Sequence, residues 1–103
     1  MTNISLGRQG NRYHIEANGH ATGSNEVCAC ISYTIYSLLA YLENNPIKVL
    51  EKEMDDGFSR IEWEDDTDTV YEYICLSLMQ LSANYPKLVR IKSKISTFFD
   101  KEK

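Results

Sequence analysis

The apolar residues of this chain change their period once they pass Asn18, and that change limits the folds open to it. Tyr13, Ile15 and Ala17 alternate with His14, Glu16 and Asn18, the pattern of a strand with one buried face. From Val27 the stripe runs Val27, Ile31, Thr34, Ile35, Leu38 and Leu42, at helical steps of three and four, until Asn44-Asn45-Pro46 stops it. A strand that hands over to a helix inside 103 residues implies one domain, spanning 1–103, in which sheet and helix share a core.

The flanking segments repeat the theme. Asn3 to Arg8 reads as a strand, and Gln9-Gly10-Asn11 supplies the turn that pairs it with the Tyr13 strand. Ile47 to Met54 and Phe58 to Trp63 read as a second hairpin around Asp55-Asp56-Gly57. A second helix carries Tyr71, Ile74, Cys75, Leu78, Leu81 and Tyr85 before Pro86, and Leu88 to Lys92 makes a last short strand. The expected architecture is α+β: a mixed, mostly antiparallel sheet with both helices on one face, in the order β-β-α-β-β-α-β. Each helix is expected to cross between neighbouring strands.

Glu62, Glu64, Asp65, Asp66 and Asp68 precede the second helix, where carboxylates suit the positive end of the dipole; capping and solvation account for most of this cluster. The net charge of -4 argues against a generic nucleic-acid binder and makes a basic peptide the easier partner. Met1 to Gly10 holds no apolar run of the signal type, and no segment approaches the roughly 20 apolar residues of a membrane span, so a cytoplasmic protein is expected. The three cysteines read as reduced thiols, because Cys28 and Cys30 would lie about 200° apart around a helix. Cys28-x-Cys30 is not a zinc-type pair and the histidines have no ligand spacing, so neither metal nor cofactor is expected.

The chemistry concentrates between Gly19 and Ser32. His20 follows the strand in a loop of small residues, and Ser24 or Asn25 caps the helix so that Cys28 falls in its first turn. Unpaired amides and the dipole at a helix start favour thiolate over thiol, and a nearby imidazole adds to this. Such a pair can attack a peptide carbonyl and pass the proton to the leaving amine. On chemistry alone two readings stand: a nucleophile with its base, or a cysteine that packs and a histidine that solvates. Ser32, one turn after Cys28, supports the site or bonds the Cys28 carbonyl within the helix. Cys30, Cys75 and His14 read as scaffold.

Gly19-His20-Ala21, then Val27-Cys28-Ala29 with Ile31-Ser32, resemble the ribosomal-processing cysteine protease family, Prp, of bacteria and some phages. The resemblance implies that His20 and Cys28 are a catalytic dyad in a small layered fold that forms a homodimer; Gly19 and Ser32 are the supporting candidates beside them. It implies a substrate as well: a short N-terminal extension of a ribosomal large-subunit protein, or a phage capsid or scaffold protein. The family's Asp-Ile-Val-Cys stands here as Asn25-Glu26-Val27-Cys28, so the family's Asp is missing with Glu26 as its alternative from a different position, and the His20 to Cys28 loop is shorter. The competing class is a non-catalytic dimeric module that binds a peptide or a ribosomal component. The tail bears Ser96-Thr97-Phe98-Phe99, which echoes the phenylalanine pair of the family's substrate and makes self-occupation of the site a further possibility.

Overall fold

A computed structural model describes residues 1–20 and 24–93. The middle of the His20 to Cys28 loop and the Ser96 to Phe99 stretch lie outside the described residues. The chain forms β1 (Thr2–Gln9), β2 (Arg12–Asn18), α1 (Asn25–Glu43), β3 (Lys48–Asp55), β4 (Phe58–Glu64), α2 (Thr69–Asn84) and β5 (Val89–Ser93). This is the expected order. The strands make one five-stranded sheet, β3-β4-β2-β1-β5, in which only the β1 and β5 pair is parallel.

The crossovers differ from expectation. α1 leaves β2 and reaches β3 with β4 lying between them, and α2 leaves β4 and reaches β5 with β2 and β1 between them. Neither helix joins neighbouring strands. The β3 and β4 hairpin folds back so that β4 takes the place beside β2, where Ile15 meets Ile61 and Tyr13 meets Trp63. All four of these side chains are buried, so this pairing gives the sheet its central apolar rows. The two crossovers start from strands of opposite sense and move in opposite directions across the sheet. The right-handed rule therefore sets both helices on the same face, where they touch each other.

That face is the core. Ile4, Leu6, Ile15, Ile61 and Trp63 from the sheet meet Val27, Ile31, Ile35, Leu38 and Leu42 from α1 and Tyr71, Ile74, Cys75 and Leu78 from α2. The expected stripe of α1 needs one change: Thr34 is half-buried and donates its hydroxyl to the Cys30 carbonyl at 2.8 Å, while Leu39 is buried. Leu39 lies one turn past Ile35 and widens the stripe. The other sheet face is polar. There His14 lies between Glu16 (3.8 Å) and Glu62 (3.7 Å), and Arg60 pairs with Glu51 and Glu53.

Asp68 sits at the N-cap of α2 without capping it through its side chain. Its carboxylate instead accepts from Arg8 Nη1 at 2.6 Å and from the Tyr13 hydroxyl at 2.5 Å, tying α2 to the β1 and β2 hairpin. One member of the acidic cluster is thus a structural tie. Burial, reinforced by Asp68, pushes the Tyr13 phenol above its ordinary range. Burial also raises Tyr71, and it pushes the Cys75 thiol up from 9.0 to about 11 against a smaller opposing pull from the Tyr71 hydroxyl.

A folded value above the unfolded one favours the protonated, folded chain. That contribution is complete below pH 9.0 and is lost as pH rises through about 11. Thermal melts across this window are expected to show a falling Tm. A Tm that stays level past the upper end would contradict the buried thiol.

Candidate active site

β2 ends at Asn18, and the next residue decides where His20 stands. Gly19 has φ +97°, and a Cβ there would lie 2.5 Å from the Met1 carbonyl oxygen. Its N–H donates to the Gly57 carbonyl at 2.8 Å, and its own carbonyl accepts from the Thr2 hydroxyl at 3.3 Å. The backbone is thus stitched on both sides just before the imidazole. Gly19→Ala is expected to destabilise the fold by more than about 1 kcal/mol, because both the left-handed backbone and the clash oppose it. Urea titration of the variant checks this, and an unchanged midpoint would contradict the crowding.

His20 is 58% exposed at the side chain, and its ring lies against the turn between β3 and β4. Gly57 has φ +76°, and a Cβ there would lie 2.7 Å from His20 Nε2. Asp56 Oδ1 stands 3.9 Å from the same nitrogen. The start of α1 supplies the thiol. Ser24 is its N-cap, in extended backbone, and its hydroxyl oxygen accepts the Val27 N–H at 3.2 Å. The Cys28 N–H donates to the Ser24 carbonyl at 3.3 Å, which places the thiol in the first turn as the sequence predicts.

Cys28 is half-buried: one side packs against the core, and the residue also lines a cleft of about 350 Å³. His20, Gly19 and Ser32 line the same cleft. All four sequence-derived site residues therefore meet in one place. Scaffold assignments for the remaining candidates divide. Cys75 is buried in the core and His14 lies on the outer sheet face, but Cys30 is exposed on α1 rather than packed.

The cleft also contains residues that the sequence reading did not single out. Ile31, Met54 and Phe58 make an apolar floor, while Asp55 and Asp56 bring carboxylates to it. Asp55-Asp56-Gly57 is legible as a hairpin turn, but no local signal ties it to residue 20. Among the described residues the lining includes two carboxylates and no lysine or arginine, a balance that suits a neutral or basic extended peptide.

The fold is that of solved cysteine protease structures. A crystal structure of an essential ribosomal processing protease Prp from S. aureus with a covalently linked product peptide aligns with TM-score 0.78 at 18% identity, covering 91% of this chain and 100% of that one. The same S. aureus protease with a substrate peptide aligns with TM-score 0.74 at 17% identity, again over 91% and 100% of the two chains. SMU.848 from Streptococcus mutans aligns with TM-score 0.64 at 23% identity, over 90% of this chain and 93% of that one. No curated protein sequence is a significant match. The family model for cysteine protease Prp matches residues 1–90, and the chain belongs to that family.

Proposed function

We propose that the chain is a cysteine endopeptidase in which Cys28 is the nucleophile and His20 carries the proton. The observation that supports this most is that both residues line one cleft in a chain from a cysteine protease family. The Cys28 thiolate adds to the scissile carbonyl, forming the S–C bond and moving the carbonyl electron pair to oxygen. As the C–N bond breaks, His20 gives its proton to the leaving amine, and a thioester remains. His20 then takes a proton from water, whose oxygen attacks the thioester, and returns that proton to the departing thiolate.

The oxyanion needs donors that are not already engaged. Val27 N–H bonds the Ser24 hydroxyl and Cys28 N–H the Ser24 carbonyl, and backbone amides at the start of α1 hold the oxyanion under this proposal. Ser32, one turn further along α1 in the same cleft, serves as a supporting polar group.

The substrate under this reading is a short N-terminal extension of a ribosomal large-subunit protein, or a phage structural protein with a similar segment, processed by a cytoplasmic homodimer. Two S. aureus structures of a ribosomal processing protease with peptides bound support the peptide substrate. Incubation of the wild-type chain with a peptide carrying paired phenylalanines and a small residue is expected to give a single cut, and a thiol-directed probe is expected to label Cys28. Absence of both would favour the non-catalytic binding module.

A further inference from the structure

We propose that the turn Asp56-Gly57 is a positioning element for the His20 imidazole, supplying both room and a carboxylate from the β3 and β4 hairpin. The inference rests on the Cys28 and His20 reading above. Three observations carry it. The Gly19 N–H to Gly57 carbonyl bond, at 2.8 Å, anchors the residue before His20 to this turn. The missing side chain of Gly57 leaves the space that the ring tip occupies, since a Cβ would come within 2.7 Å of Nε2 and 3.3 Å of both Cδ2 and Cε1. Asp56 Oδ1 lies 3.9 Å from Nε2.

These contacts give the ring a direction. Nε2 is the atom nearest the turn and Nδ1 is not among the three nearest, so the ring tip points toward Gly57 and Asp56. A carboxylate on that side favours the tautomer with its proton on Nε2, which leaves the Nδ1 lone pair to receive the thiol proton. It also stabilises the imidazolium formed after that transfer. At 3.9 Å the pair is within ion-pair reach and longer than a hydrogen bond, and both side chains are largely exposed, so its effect is modest and sensitive to salt. Gly57 acts differently. It provides room, and filling that room moves the ring.

Asp56 brings its carboxylate to the imidazole from an element far away in sequence. Asp56 is fully exposed at the side chain, so replacing it leaves the core untouched.

The test compares wild type with Asp56→Asn, Asp56→Glu and Gly57→Ala. It combines steady-state cleavage of the peptide with nuclear Overhauser contacts between the His20 ring protons and Gly57 Hα. Asp56→Asn is expected to lower kcat about two- to fivefold with KM unchanged, the range of an exposed ion pair. High salt is expected to bring wild type down to the same level, and Asp56→Glu to restore most of the rate. Gly57→Ala is expected to lower kcat by about tenfold to a hundredfold, the cost of a ring displaced by about an ångström.

If wild type cleaves and neither Asp56→Asn nor Gly57→Ala changes kcat, the positioning role is overturned and the protease reading stands. If wild type is inert, the ring contacts decide: a His20 to Gly57 contact in wild type supports the placement while the protease reading fails. Its absence overturns the placement as well.

Discussion

Cys28→Ala is expected to remove peptide cleavage below detection while leaving the domain folded. Neither of the other thiols can substitute, since Cys75 is buried in the core and Cys30, though exposed, is not among the residues lining the cleft. The change deletes one sulfur from a half-buried site, a loss of about 1 kcal/mol or less. His20→Ala is expected to lower kcat by about a hundredfold to ten-thousandfold, the usual span for losing a proton-transfer group. The residue is more than half exposed, so its replacement leaves the fold intact. Cleavage assays paired with circular dichroism separate the two effects. Full activity in Cys28→Ala would end the nucleophile assignment.

The largest expected effect on stability comes from Trp63→Ala. Trp63 is fully buried, its ring stacks on Tyr13 at 5.5 Å between centroids, and Tyr71 completes the cluster at 6.2 Å. Truncation to alanine is expected to cost about 3–5 kcal/mol, because the surrounding side chains collapse only in part. A domain of this size has about 5–15 kcal/mol in all, so the variant stands near the edge of folding. Trp63→Phe makes the informative contrast. The indole N–H is buried without an acceptor among the described residues, so phenylalanine keeps much of the packing and discards an unpaired donor. Urea titration is expected to rank the three chains as wild type close to Trp63→Phe, both well above Trp63→Ala.

What was legible in the sequence was local. Alternation at Tyr13, Ile15 and Ala17 and the helical steps from Val27 reveal β2 and α1, and the Ser24 cap places Cys28 in the first turn. The fold class and the order of elements follow from the same periodicities. Strand order does not, because nothing in the hydrophobic pattern of β4 tells whether β3 or β4 pairs with β2; that choice is made by the buried rows they form together.

Asp68 illustrates a second limit. Its position before α2 reads as a cap, and only the folded chain brings Arg8 and Tyr13 close enough to claim it. The cleft shows the same divide. Gly19, His20, Cys28 and Ser32 fall within one short stretch and are visible as a group, whereas Asp56 and Gly57 reach His20 only through the hairpin. The residues that hold a side chain in place are often remote in sequence, and periodicity carries no information about them.

The placement of the two helix starts has an evolutionary consequence. α1 begins beside the end of β2 and the β3 to β4 turn, whereas α2 begins beside the β1 to β2 turn, where Asp65 N–H bonds the Asn11 carbonyl and Asp68 bonds Arg8. The aromatic cluster around Trp63 thus lies near one end of β4 and the cleft at the other, roughly 17 Å away along the strand. The free-energy changes of substitutions at the two ends are expected to add. Lineages carrying this scaffold can therefore retune the turn facing His20 while the far end holds the fold together.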